Sequence, residues 1–119
     1  MVVSAPDHIN EFTIDSPIFV VVTNNTQSEL EISPDSDIKI YRQSDSNWES
    51  VNNKTDYLAV TDRLLPQGDS SPGLVIYTLA PSLQDSITQI RLCIVVEGII
   101  NNSDSSPRIG AYIEILLDH

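Results

Sequence analysis

The chain has 119 residues, of which 40% are hydrophobic, enough for one domain (1–119) with a core that needs no staples. Its net charge is −11, from 17 acidic and 6 basic residues, so no basic stripe exists to hold a nucleic-acid backbone or an anionic membrane surface. A single cysteine, Cys93, excludes an internal disulfide and a multi-cysteine zinc site.

The acids are spread along the chain. Residues 1–60 hold ten acids against three bases, and residues 61–119 hold seven against three. Such a charge keeps a β protein soluble and discourages sheet edges from pairing. No apolar segment approaches the roughly 20 residues of a membrane helix. The opening residues 1–6 lack the charged and apolar regions of a signal peptide, so an export signal is not expected within this chain.

In chain order, residues 8–14 form the first predicted strand, with Ile9, Phe12 and Ile14 as apolar points. Asp15-Ser16-Pro17 is a turn. Residues 18–23 are apolar on both faces and predict a central strand covered on each side. Asn24-Asn25-Thr26-Gln27-Ser28 is a turn. Glu29-Leu30-Glu31-Ile32 alternates, with Leu30 and Ile32 inward. Residues 33–37 form a loop, and Ile38-Lys39-Ile40-Tyr41-Arg42 alternates again with Ile38 and Ile40 inward.

Residues 43–47 form a polar hairpin connection, and Trp48–Glu49–Ser50–Val51 returns as the partner strand. Trp48 and Val51 do not share a face under strict alternation, which predicts a bulge or strand end there. Residues 52–56 are a turn and 57–60 a weak strand. Residues 64–73 are the longest turn-rich stretch, followed by a strand over 74–79. Residues 82–88 carry a capping-box pattern, Ser82 with Asp85, and apolar residues at helical spacing, which predicts one short helical turn. Residues 90–96 alternate Ile90, Leu92, Ile94 and Val96 against Arg91, Cys93 and Val95, and mark a second central strand. Gly98 ends or bulges it, residues 101–107 form a polar loop, and residues 110–117 close the domain. In that last strand Ile113, Ile115 and Leu117 share one face, and Tyr112 and Glu114 the other. The sum is an all-β antiparallel sandwich of seven to nine short strands. Residues 18–22 and 90–96 are expected in the core of opposed or neighbouring sheets.

Several pieces stand in an order found elsewhere: Val22-Thr23-Asn24-Asn25-Thr26, Ile40-Tyr41-Arg42, Asn47-Trp48-Glu49-Ser50-Val51, Leu64-Leu65-Pro66-Gln67-Gly68 and Ile90-Arg91-Leu92. Over residues 16–97 the chain resembles the Ig-like or fibronectin-type-III-like sandwich domains of bacterial cell-envelope proteins and lipoproteins. The cysteine pair that some of those domains carry is absent, as is the Cys…Trp…Cys signature of true Ig domains. The early Asn-rich turn and the Pro-x-Gly turn also resemble the sandwich of bacterial intracellular proteinase inhibitors. Neither resemblance carries a functional residue over to this chain.

Catalytic machinery is not expected. Nucleophilic catalysis needs a nucleophile, a base and an orienting group in contact, and the two histidines, His8 and His119, lie near the termini. Neither is placed in sequence to activate Cys93, which reads as a small core hydrophobe. No histidine pair has metal-ligand spacing. Asp35 with Asp37 and Asn102 with Asp104 place oxygens on loops as calcium sites do, but Asp and Asn at turns commonly bond their own backbone. Three N-x-Ser/Thr patterns, at Asn24, Asn53 and Asn101, follow from the abundance of Asn, Ser and Thr.

What the resemblance implies is a non-catalytic module (adhesion, scaffold or spacer) of a cell-envelope or extracellular protein. A proteinase-inhibitor-like sandwich presenting the 64–73 loop is the first alternative. The second is a carbohydrate-binding module using exposed aromatics among Tyr41, Trp48, Tyr57, Tyr77 and Tyr112, with Trp48 the best single contact candidate. The partner is then a protein or a carbohydrate, with no nucleic acid, no insertion into a membrane, no metal and no cofactor.

Overall fold

Successive side chains of a strand point to opposite faces, and the buried positions of this chain obey that rule almost throughout. The structure, a computed structural model, describes residues 1–13, 16–33, 37–44, 46–51, 53–54, 62–71, 74–78, 89–101 and 107–118. Among them are β1 (Val2–Ser4), a 3-10 turn (Asp7–Ile9), β2 (Ile18–Asn24), β3 (Glu29–Ile32), β4 (Ile38–Ser44), β5 (Asn47–Val51) and β6 (Asn53–Lys54). Then come β7 (Asp62–Leu64), β8 (Asp69–Ser70), β9 (Leu74–Thr78), β10 (Gln89–Asn101) and β11 (Arg108–Asp118). No helix among the described residues is long and apolar enough to cross a membrane.

The fold is all-β, with two antiparallel sheets. In the smaller, β2 lies between β1 and β9, β9 pairs with β6, and β8 also pairs with β2. In the larger, β10 is the axis. It pairs with β11 from Gln89↔Asp118 to Ile99↔Arg108, and with β4 and then β3 on its other side. β5 pairs with β4, and β7 with β3. One apolar cluster joins the sheets: Ile18, Val20 and Val22 of β2 pack with Leu30, Ile32, Ile40, Ile94 and Val96 of the larger sheet. This is the sandwich-like packing expected of residues 18–22 and 90–96. Val20 and Ile94 are both fully buried.

The eleven described strands exceed the seven to nine expected, because the short β1, β6 and β8 form in stretches where no strand was expected. Glu31 faces Ile99 and Ile38 faces Val96. Seven residues advance on one side against three on the other, a difference of four between β3 and β4. Four is an even number, so the inward face is kept, and Leu30, Ile32, Ile38 and Ile40 are all buried. Between these strands Ser33 and Asp37 bond to each other. The Asp37 N–H donates to the Ser33 carbonyl at 2.8 Å, and the Ser33 N–H donates to Asp37 Oδ2 at 2.8 Å.

Several local expectations are corrected. Residues 8–12 are not a strand, since Asp7–Ile9 form a 3-10 turn and Phe12 takes φ 50°, and Thr13 makes one isolated parallel bridge, to Asp118. Asn10 instead completes β2 with its side chain. Its Oδ1 accepts the Phe19 N–H at 2.7 Å and its Nδ2 donates to the Phe19 carbonyl at 2.9 Å. The strand pairing the far half of β2 is β1, at Val2↔Thr23 through Ser4↔Val21.

The β4–β5 hairpin has no bulge, and of the two alternatives the strand end holds, because β5 ends at Val51. Pairing is regular from Ile40↔Val51 to Ser44↔Asn47, and the polar connection is shorter than residues 43–47. Trp48 and Val51 simply face opposite ways: Trp48 is exposed, and Val51 packs against the core. Within the predicted turn 52–56, Asn53 and Lys54 form β6. Gly98 neither ends nor bulges β10, which runs 13 residues, and β11 runs 11, so neither is short. The weak strand at 57–60 and the helical turn at 82–88 lie outside the described residues.

Candidate functional site

The outer face of the larger sheet follows from parity and register. With Ile40, Leu92, Ile94, Ile113 and Ile115 turned inward, Tyr41, Cys93, Val95, Tyr112 and Glu114 face outward. Register then sets them side by side. Ser50, Tyr41, Cys93 and Glu114 form one row across β5, β4, β10 and β11, and Lys39, Val95 and Tyr112 form part of the next. Trp48 stands opposite Gln43, beside Tyr41 on the same face.

These residues line a shallow, open groove of about 280 Å³ formed by Tyr41, Trp48, Cys93, Val95 and Glu114. Adjacent strands are about 4.8 Å apart, so the Tyr41 and Glu114 backbones stand roughly 10 Å apart with Cys93 between them. Trp48 is 41% exposed. The best contact candidate of the sequence therefore sits on a wall of this groove. Tyr112 is more exposed, at 67%, and lies on the same face. The side chain of Tyr77, and all of Tyr57, fall outside the described residues.

Cys93 is not a core residue. It is half-buried on the groove floor, facing away from the apolar cluster. Burial pushes its thiol pKa up, and the negative charge of Glu114 pushes it further. The thiol is thus held protonated, the opposite of an activated nucleophile. His8 is exposed in the 3-10 turn, and His119 lies outside the described residues.

The carboxylates of this sheet differ in how they are satisfied. Glu97 is shared by Lys39 at 3.6 Å and Arg108 at 3.2 Å. Glu49 pairs with Arg42 at 3.1 Å and Glu31 with Arg63 at 3.2 Å. Among the described residues Glu114 has no such partner. Asp37, the calcium-loop candidate, is buried and spent on protein contacts: Oδ2 accepts from Ser33 and Oδ1 accepts from Arg108 at 2.8 Å. Asp35, Asn102 and Asp104 lie outside the described residues. Among the described residues no group of three His, Cys, Asp or Glu is placed to hold a metal ion.

Asn24, first residue of a glycosylation-like triplet, is fully buried at the end of β2. Its Nδ2 donates to the carbonyls of Ser28, Leu64 and Leu65, and its Oδ1 accepts from the Thr26 N–H and hydroxyl. An amide so engaged inside the fold is not an attachment point. It also holds the segment 64–71, which is not one free loop. Leu64 ends β7, Gln67 and Gly68 turn with φ 62° and 109°, Asp69–Ser70 form β8, and Ser71 is buried. The N–H groups of Gln67, Gly68 and Ser71 donate to the carbonyls of Thr26, Asn24 and Val22. Residues 65–70 are exposed, but their backbone is tied down at these points.

Sequence reasoning found Trp48 but missed the groove. Parity on each strand was readable; that β4, β10 and β11 are neighbours with Tyr41, Cys93 and Glu114 in one row was not. Comparison of the chain with protein-family models, with curated proteins and with solved structures gives no match.

Proposed function

We propose that this chain is a non-catalytic, Ig-like binding module of a cell-envelope or secreted protein, and that it works by surface contact across the outer face of its larger sheet. The observation that carries this reading is the groove between Trp48 and Glu114. A sheet face turned away from the core is ordinarily polar, yet here Tyr41, Trp48, Cys93 and Val95 gather around one depression. Tyr and Trp are efficient contact residues because each offers a large rigid surface at small entropic cost. The groove is open and shallow, which suits a partner laid across it.

The inner face supports the same reading from the other side. It is filled by aliphatic side chains in one cluster, so contact with a partner falls to the outer surface. A resemblance to envelope sandwiches carries the compartment, and the acidic balance is compatible with a solvent-facing module.

A direct test screens the folded protein on immobilised glycans and peptides beside a Trp48→Ala variant. The expected result is at least one ligand class whose signal falls about tenfold or more in the variant, as removal of a central aromatic contact requires. Equal signals from the two proteins on every ligand would overturn the assignment of the groove.

A further inference from the structure

We propose that the groove takes an arginine side chain from a basic segment of a partner protein. The inference rests on the reading of the groove as a contact surface and adds the chemistry of what enters it.

The groove has two unlike walls. Tyr41 and Trp48 supply aromatic rings on one side, Glu114 supplies a carboxylate on the other, and Cys93 and Val95 form an apolar floor. Aromatic faces attract cations through the ring quadrupole, and a carboxylate across the same depression attracts them through its charge. The thiol between them, held protonated, adds no charge of its own. A guanidinium is planar, weakly hydrated, able to stack on a ring and able to offer a fork of donors to a carboxylate. It therefore suits a wide, open groove better than a compact, strongly hydrated ammonium.

Charge argues for the same occupant. Glu97 and Glu49 of the larger sheet are each neutralised by a base of this chain, whereas Glu114 has no partner among the described residues. Arg91 faces Leu116 in the adjoining row and makes no ion pair with Glu114. With a net charge of −11, the whole chain draws a basic segment towards it from a distance, and Glu114 gives the segment one unneutralised carboxylate beside the rings.

Trp48 is the sole tryptophan of the chain, so fluorescence excited selectively at tryptophan reports on this groove alone. The probe is the blocked peptide acetyl-Gly-Arg-Gly-amide, titrated against its citrulline counterpart, which keeps the shape and loses the charge. The expected result is a saturable change with the arginine peptide, Kd on the order of 1 mM, and a response at least about threefold weaker with citrulline. Glu114→Gln should weaken the arginine response about three- to tenfold. Glu49→Gln, which removes the same charge from a carboxylate paired with Arg42, should leave it within about twofold. Both sites are exposed, and equal denaturation midpoints verify that the variants fold. Equal titration by the two peptides, equal effects of the two variants, or no saturable change would overturn the proposal. A neutral oligosaccharide that titrates Trp48 while the arginine peptide does not would overturn the arginine and leave the contact surface standing. No Trp48-dependent ligand of any class would remove both.

Discussion

Gly98 lies beneath Leu30. A Cβ built on Gly98 would stand 2.6 Å from Leu30 Cδ1 and 3.1 Å from the Glu31 carbonyl oxygen. Leu30 is fully buried and cannot swing away, so β3 approaches β10 this closely only because position 98 has no side chain. The contact falls where the partner of β10 changes from β4 to β3, near the hydrogen-bonded pair Ser33 and Asp37.

Gly98→Ala is accordingly expected to destabilise the fold by about 1–3 kcal/mol, the usual cost of forcing a methyl into a filled core. The sign is informative, because glycine within a strand ordinarily weakens it and alanine would otherwise help. Urea denaturation with an unchanged slope and a lower midpoint is the expected result; a raised midpoint would show that the two strands can part freely.

Asn24→Ala removes the buried amide that joins the end of β2 to residues 26, 28, 64 and 65. Left behind are carbonyls and an N–H without their partner, at a cost of about 1–3 kcal/mol. Hydrogen exchange should rise first at Gln67, Gly68 and Ser71, whose N–H groups bond Thr26 and, in β2, Asn24 and Val22. Uniform acceleration throughout β10 instead would place the effect elsewhere.

Asp37→Ala should cost more than Arg108→Ala. The Asp37 side chain is 6% exposed and holds both the Ser33 N–H and the Arg108 guanidinium, whereas Arg108 is 51% exposed and retains water as a partner. Loss of the buried carboxylate leaves the Ser33 N–H without this acceptor, a penalty of about 1–3 kcal/mol. Chemical denaturation of the two variants side by side decides the order, and equal midpoints would mean the loop closure adds little.

Cys93 has a thiol pKa raised by burial first and by Glu114 second. In the unfolded chain the thiol ionises at lower pH than in the folded one. The stability tied to it is therefore complete below the unfolded pKa, and is lost as pH climbs through the higher folded value. Iodoacetamide should alkylate folded protein more slowly than urea-unfolded protein at the same alkaline pH, and Glu114→Gln should quicken the folded reaction. A Cys93→Ala variant should lose less stability on alkaline titration than the parent. Faster alkylation of the folded protein would contradict the raised pKa.

Alternation in sequence was enough to orient Leu30, Ile32, Ile38, Ile40, Leu92, Ile94, Ile115 and Leu117, because the period of two is a local property of an extended backbone. The same pattern put Cys93 on the face opposite Leu92. The apolar density of β10 suggested a core residue there, because sequence does not say whether a strand is covered on its second face. The first strand was misplaced for a related reason. Residues 8–13 contain strand-like apolar points, but Phe12 turns to φ 50° and Asn10 joins β2 through its side chain.

What the sequence determined by itself is therefore the fold class and, on β3, β4, β10 and β11, the face that packs inward. The tertiary structure alone decided which strands are neighbours and in which register. It set Tyr41, Cys93 and Glu114 in one row, brought Arg108 to Asp37 across 71 positions of chain, and seated Leu30 on Gly98. Side-chain parity is fixed by the backbone within a few residues, whereas register is settled by closing long loops around one shared core, and no short window of sequence contains that information.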